Sequence, residues 1–435
     1  MTEQSPKQIA IIGGGPAGLI AAERLSAHGH GVTVYERMPT LGRKFLMAGR
    51  GGLNLTHSDD RDAFMARYRE ASGWMSSWLE VFTPADLCAW AESLDQATFV
   101  GSSGRVFPQA MKASPLLRAW IARLKAQGVQ FRMRHQWTGW GESGELLFNT
   151  PDGDVVIDKP DAVLLALGGA SWPKLGSDGG WAELLRARGV EVEDLAAANC
   201  GAQIAWSEIM KSRFAGQPLK TIAISLNGET VRGEAMISEY GLEGGAVYAL
   251  STPIRKALAT GYPVTATIDL RPNHRIAEVT ERIASAKKGQ SLANTLRKAG
   301  LSPQAIGLLR ESGSLPTEPA DLARRIKATP VTITGQTGLD RAISSAGGIA
   351  RDGLDIGLMI KALPGVFVAG EMIDWEAPTG GYLLQACFST GVAAARGIEV
   401  WMGLQTKAAE SSSEALSAES SPDEADPDNT SGATH

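Results

Sequence analysis

Cysteine is scarce in this chain: Cys88, Cys200 and Cys387 are the three among 435 residues. They lie far apart and form no C-x-x-C pair, so neither a disulfide framework nor a relay of neighbouring thiols is predicted, and a reduced, cytoplasmic setting is expected. The six histidines show no metal-ligand spacing, which leaves no metal site expected. No apolar run reaches the ~18 residues that span a bilayer. The N-terminal apolar segment is broken by glycines and lacks a basic leader, so it is not read as a signal peptide. Charge of one sign is also missing from the body of the chain. The formal net charge is −5, but residues 406–435 hold one lysine against seven carboxylates, leaving residues 1–405 near +1. A near-neutral body provides no long-range attraction to nucleic acid or anionic lipid, so the partner expected is a small-molecule substrate. The tail, 406–435, is rich in Ser, Glu, Asp, Ala and Pro and is expected to be a solvated, disordered extension.

Glycine, by contrast, is abundant: 50 residues, clustered in a few places. In QIAIIGGGPAGLIAAERLSAHGHGVTVYER, residues 8–12 predict a strand and 17–26 a helix. Gly13, Gly15 and Gly18 fit G-x-G-x-x-G between them, with Pro16 and Ala17 inside the motif. The first glycine makes a tight turn, the second lets backbone approach a pyrophosphate, and the third lets helix and strand pack closely. The helix N-terminus contributes free N–H groups and a partial charge of about +0.5. A second strand, 32–35, ends at Glu36, 18 residues after Gly18, where a carboxylate can accept from both hydroxyls of an adenosine ribose. The pattern predicts a dinucleotide site.

The far end of the chain separates FAD from NAD. LPGVFVAGEMIDWEAPTGGYLLQACFSTGVAAARG reads as strand, carboxylate, glycine turn and helix. Gly370 permits close approach to a ligand, Glu371 can bond a polyol, and Gly380 and Gly381 open a helix running to about residue 396. A helix N-terminus stabilises the negative charge that a reduced flavin carries near N1 and O2, and a nicotinamide gains nothing comparable. A third piece, DAVLLALGGASWPKLGSDGG, ends a strand in Ala166, Leu167, Gly168 and Gly169, the kind of turn at which a chain re-crosses the dinucleotide. Non-covalent FAD is the cofactor expected. No second G-x-G-x-x-G follows a strand, so NAD(P)H, if it is the donor, binds transiently in the same open pocket.

Between about 199 and 341 the pattern changes. Residues 202–206, 221–226, 229–234, 264–269 and 331–334 read as strands, with Asn227-Gly228 as a hairpin turn, and 276–329 as short amphipathic helices. The fold class expected is α/β: a two-domain-type FAD-binding Rossmann fold, residues 1–198 and 342–405, interrupted by an inserted β plus helical domain, 199–341. Trp74, Trp78 and Trp90 fall on helical segments, as core residues. Ser114-Pro115 reads as a helix start, with Ser114 as N-cap.

With these motifs in view, the chain resembles the BaiN-like family of NAD(P)/FAD-dependent oxidoreductases over most of residues 8–400. The most specific stretches are GRKFLMAGRGGLNLTHS from Gly42, GRVFPQAMKAS from Gly104 and AGEMIDWEAPTGGYLLQACFSTG from Ala369. Leu53 stands where the family typically has cysteine, and Ser238-Glu239 where it has Thr-His, which marks a divergent branch. The glycine-rich stretch 42–58 reads as a long loop, and the resemblance implies that it runs along the cofactor. Arg43 and Lys44 would offset phosphate charge, Gly51 would allow close passage, and Asn54 and Thr56 would bond the polar edge of the ring. Arg37, Asp374 and Tyr382 complete the expected cofactor set. Arg105 would border the reactive face, where an arginine can orient a carbonyl or carboxylate. The function expected is an FAD-dependent oxidoreductase carrying hydride from NAD(P)H to a small acceptor such as an activated C=C bond. The alternatives are an RNA-modifying flavoprotein and a flavin binder without turnover.

Overall fold

The computed structural model describes residues 6–157, 159–287 and 289–419, with backbone alone from 404 onward. Its centre is a parallel sheet of five strands in the order Val366–Val368, Ala162–Leu165, Gln8–Ile12, Gly31–Glu36, Gln130–Met133. Ile9–Ile12 are all buried, as suits an interior strand covered on both faces. Helix Pro16–Ala27 carries the chain from Gln8–Ile12 to Gly31–Glu36, and the long helix Tyr382–Glu419 packs beside it. The two helices approach so closely that a Cβ on Gly391 would lie 2.5 Å from the Ala17 carbonyl oxygen. Trp78, Trp90 and Trp120 are buried in the same core.

A second hydrophobic core lies within residues 202–333. Seven antiparallel strands form its sheet, in the order Thr329–Ile333, Val264–Asp269, Pro218–Leu226, Glu229–Ser238, Gly241–Glu243, Ala202–Gln203, Gly335–Gln336. Asn227 and Gly228 have φ of +48° and +85°, the two positive angles that a tight hairpin turn of this hand requires. Four short helices between Ile276 and Lys327 share its core, Pro303–Glu311 and Pro319–Lys327 packing on the sheet and the other two on neighbouring helices. The chain leaves and re-enters the parallel-sheet unit through one antiparallel pair, Val192–Ala198 and Ser344–Ile349, in which Ala198 faces Ser344.

Three local expectations need correction. The stretch 42–58 is not all loop: Arg43–Ala48 is a helix. Its glycines flank that helix instead of interrupting it, with Gly42 in the left-handed region (φ +63°) before it and Gly49 after it. Helix Ala113–Ala126 begins one residue before Ser114, so Lys112, not Ser114, is the flanking residue. The long helix continues through Glu419, past the start of the expected disordered tail at 406, while 420–435 lie outside the described residues.

Candidate functional site

One cavity of about 960 Å³ opens at the carboxyl ends of the parallel strands, where Ile12, Glu36, Ala166 and Ala369 end or follow four of them. This is where open α/β sheets bind ligands. Gly15 is the N-cap of helix Pro16–Ala27, so no side chain caps that helix start, and its first N–H groups stay available at the cavity wall. A Cβ on Gly15 would meet nothing within 4 Å, whereas one on Gly13 (φ +114°) would lie 2.3 Å from the Ala166 carbonyl oxygen. The two glycines therefore serve different needs: room for a ligand at Gly15, and strand packing at Gly13.

Glu36 lines the cavity. Gly14 N–H donates to its Oε2 (2.9 Å) and Met38 N–H to its Oε1 (2.8 Å). Burial pushes its carboxyl above the usual range, against the pull of those N–H groups, Arg37 and Arg43. Two expected cofactor cations are committed to protein partners. Lys44 Nζ lies 2.7 Å from Glu371 Oε2 and 3.0 Å from Ser171 Oγ, and Arg37 pairs with Asp178. Arg43 Nε is buried without a partner among the described residues, and Arg105 has no side-chain partner among them. Both line the cavity, as do Gly168, Gly370, Gly380 and Gly381.

Gly18, Gly51, Thr56, Gly169, Asp374 and Tyr382 lie off the cavity wall. Gly18 faces the Gly13 carbonyl, 2.1 Å from where its Cβ would be, and Gly169 backs onto Ser345. Gly51 is exposed on a turn. The Asp374 carboxyl is raised by burial and by the nearby Glu193 and Glu376, and its N–H donates to the Ile349 carbonyl. Thr56 lies under the Gly381 turn, where a Cβ on Gly381 (φ +101°) would come within 2.4 Å of the Thr56 backbone.

Tyr382 turns away from the cavity to clamp the start of the long helix. Its hydroxyl donates to Asp59 Oδ2 (2.7 Å), its ring stacks on His57 at 5.2 Å, and Arg67 lies over the ring and pairs with Asp59 at 3.1 Å. Tyr68 Oη donates to the Tyr382 carbonyl (2.8 Å). The helix starts there: Gln385 N–H makes its bond to the Gly381 carbonyl, so the three N–H groups before it lack helical acceptors. Asn199, at φ +50°, ties the crossing into the inserted unit to the same turn. Its Nδ2 donates to Ser344 Oγ and to the Ala377 carbonyl, both at 2.8 Å, and its Oδ1 accepts from Thr379 N–H.

Several wall residues carry no signal in the sequence. Residues 135–138 reach the cavity because the strand Gln130–Met133 is a sheet neighbour of Gly31–Glu36, and His135 N–H donates to the Glu36 carbonyl. Ser177 and Asp178 arrive from the loop before helix Trp181–Arg186, Trp181 from the first residue of that helix, and Gly245 and Tyr248 from the inserted unit. Cys387 is also on the wall, but burial pushes its thiol up, so it stays protonated. Among the described residues no group of three or more His, Cys, Asp or Glu could hold a metal ion, and no helix is long and apolar enough to cross a membrane.

The chain is 27% identical over 410 residues to the 3-dehydro-bile acid delta(4,6)-reductase of Clostridium scindens, covering 89% of this chain and 98% of that one. It is 22% identical over 421 residues to a ribosomal RNA dihydrouridine synthase of Haemophilus influenzae, at 89% and 97% coverage. Among solved structures, the open conformation of a flavocytochrome c3 fumarate reductase superposes with a TM-score of 0.51 at 16% identity, over 92% of this chain and 79% of that one. The 3-ketosteroid delta1-dehydrogenase of Sterolibacterium denitrificans gives 0.50 at 12% identity, over 91% and 99%. These two likenesses concern the fold, which is that of an FAD-binding Rossmann oxidoreductase. The HI0933-like protein Rossmann domain matches residues 7–397, through both halves of the parallel-sheet unit and the insertion between them, and the chain belongs to that family of flavoproteins.

Proposed function

We propose that the protein is an FAD-dependent oxidoreductase that takes hydride from NAD(P)H and delivers it to an activated carbon–carbon double bond of a small organic acceptor. The observation that carries this reading is the continuity of the cavity. It joins an uncapped helix start and a ribose-type carboxylate to a second helix start and to Gly245 and Tyr248 of the inserted unit.

The wall suits FAD on its own features. Gly15 leaves an open cradle at the start of helix Pro16–Ala27, and Asn54 Oδ1 is a buried acceptor with no partner among the described residues. Arg43 beside that cradle would balance pyrophosphate charge, and the unpaired N–H groups after Gly381 would hold a partial negative charge. Bound FAD would supply the redox chemistry, accepting two electrons and a proton from NAD(P)H and passing them on as hydride. The chain's own task is to orient the acceptor and hold the second proton. Burial, with Glu243 nearby, raises the Tyr248 hydroxyl, so it is a proton-bearing donor at neutral pH. Arg105 on the same wall would bond the acceptor's carbonyl, drawing electron density from the double bond. The names of both curated relatives support this class of acceptor: delta(4,6) reduction concerns carbon–carbon double bonds, and dihydrouridine is uridine with one saturated.

Anaerobic stopped-flow reduction of the flavin by NADH and by NADPH, followed by reoxidation with a panel of enones, tests the reading. Saturable reduction and enone-dependent reoxidation are expected. A flavin that neither dinucleotide reduces would remove NAD(P)H as donor, and one that no enone reoxidises would remove this acceptor class.

A second reading, an RNA-modifying flavoprotein, rests on charge. Residues 199–341 hold 18 Lys and Arg against 12 Asp and Glu, a net of +6 within a body near +1. An excess of that size on one unit can attract phosphate backbones. RNA binding that weakens steeply with salt, together with dihydrouridine formed in a ribosomal RNA transcript, would favour it over a small free acceptor.

A further inference from the structure

The inserted unit holds a cavity of its own, about 170 Å³, lined by three segments. The first is Lys220 and Thr221 in strand Pro218–Leu226. The second is 270–274, after strand Val264–Asp269. The third is Gly300, Leu301, Ser302 and Ala305, at the entry to helix Pro303–Glu311. The first segment is irregular: pairing with Glu229–Ser238 slips between Leu219 and Ile222, and Thr221 sits at φ +53°. A β-branched residue avoids that region, and a bulge of this kind re-aims side chains, here placing the exposed Lys220 on the pocket rim.

The pocket wall is cationic. Arg271 lies across Gly300 (φ +90°), where a Cβ would stand 2.7 Å from its guanidinium, so glycine there makes the seat. One nitrogen, Nη1, donates to the Gly300 carbonyl (2.8 Å), and Nη2 donates to His274 Nε2, leaving the His274 Nδ1 proton for Glu278 Oε2 at 3.2 Å. Arg271 Nε is buried and has no partner among the described residues. Burial and the neighbouring Arg282 hold the guanidinium below its usual pKa, the mark of a cation without a compensating carboxylate. The nearby carboxylates are engaged elsewhere: Asp269 with Lys327 at 2.7 Å, and Glu278 with Arg275 at 3.0 Å as well as His274. None of them lines the pocket, and Lys220 has no side-chain partner among the described residues.

We propose that this pocket binds a phosphate group, with Lys220 and Arg271 as the charged donors. Tetrahedral oxyanions suit it because they accept several hydrogen bonds from cations and hydroxyls converging in a small polar space. The pocket is independent of the reading of the larger cavity. The group is carried either by a free or terminal phosphate, or by a nucleic-acid backbone.

The test is calorimetric titration of inorganic phosphate into the full-length, flavin-containing protein at fixed ionic strength. Saturable binding is expected, weakened about tenfold or more by Lys220→Ala and by Arg271→Gln. Lys220 is exposed, so its variant keeps the fold and decides the matter alone if Arg271→Gln does not fold. A 5′-phosphorylated RNA trinucleotide is then compared with the same trinucleotide lacking that phosphate. Tighter binding of the first, sensitive to Lys220→Ala, assigns the pocket to a terminal phosphate. Equal binding, with the same sensitivity, assigns it to backbone phosphate. No saturable phosphate binding at tens of millimolar, or binding that Lys220→Ala leaves unchanged, overturns the proposal.

Discussion

Lys44 Nζ and Glu371 Oε2 lie 2.7 Å apart, although 327 positions separate the two residues in the chain. The pair bolts the short helix Arg43–Ala48 to the turn after strand Val366–Val368, beside the cavity that both help to line. Both side chains are largely shielded, at 25% and 14% relative exposure, so removing one leaves the other desolvated and unpaired. Lys44→Met is expected to cost about 2 kcal/mol of stability and to lower flavin content. The double variant Lys44→Met/Glu371→Leu should recover most of the stability and none of the flavin binding. Urea unfolding and flavin absorbance measure the two effects, and a double variant no more stable than Lys44→Met would contradict the pairing.

Two glycines of the cavity separate folding from cofactor binding. Gly15→Ala meets open space, so the flavin-free protein should keep its stability within about 0.5 kcal/mol while FAD binding weakens about tenfold or more. Gly381→Ala, by contrast, drives a Cβ into the Thr56 backbone from a φ of +101°, and should cost more than about 3 kcal/mol or abolish folding. Circular dichroism melting and FAD titration of both variants check the contrast. A well-folded Gly381→Ala protein would mean that the turn relaxes away from Thr56.

The clamp on the long helix should show in acid. Burial pulls the Asp59 carboxyl up, but hydrogen bonds from Tyr382 and Arg67 outweigh it and hold its pKa below the ordinary value. A depressed carboxylate pKa contributes stability that is present above its unfolded value, about 4, and is lost as pH falls through the folded value. Tyr382→Phe should therefore cost about 1–2 kcal/mol at pH 7, and this gap should close below pH ~4, as Asp59 becomes protonated in both proteins. Unfolding curves from pH 7 to the acid limit measure the gap, and one that stays constant would remove Asp59 as its source.

Arg105 and Tyr248 should affect turnover without affecting the fold. Arg105→Ala and Tyr248→Phe are expected to keep the melting temperature and flavin content and to slow acceptor-dependent reoxidation about a hundredfold. Reduction by the electron donor should change far less than reoxidation, and stopped-flow traces separate the two half-reactions. Equal slowing of both would place these residues at the flavin instead of at the acceptor.

How much of this was readable from residues alone varies along the chain. The glycine fingerprint, the arrival of Glu36 and the Gly380-Gly381 helix start are local patterns, each set by neighbours within a few turns, and Gly13, Gly15, Glu36, Gly380 and Gly381 all lie on the cavity wall, with Gly18 packed behind it. The stretch 42–58 misleads because glycine content over the whole window hides six consecutive residues without glycine. Tyr382 sits next to the right turn, yet as the first residue of the helix its side chain points back to Asp59, a partner hundreds of positions away. Tyr248 and residues 135–138 reach the wall through sheet order and the return of the inserted unit, which no local pattern encodes. The commitment of Lys44 to Glu371 is of the same kind: residue type foretells a charge, and only the fold decides which charge it meets.

The single pair of strands through which the chain leaves and re-enters the parallel-sheet unit also bears on how such proteins diversify. Because Ala198 and Ser344 are directly paired, the two ends of segment 199–343 lie about one strand spacing apart, ~5 Å. The segment has its own buried core, so it can be exchanged as a cassette without cutting any strand of the cofactor-binding sheet. Acceptor choice and cofactor retention can then evolve on separate schedules. A new cassette needs only to present a residue in the role proposed for Tyr248 to the wall of an old cavity, and to keep an Asn199-like anchor at its first position.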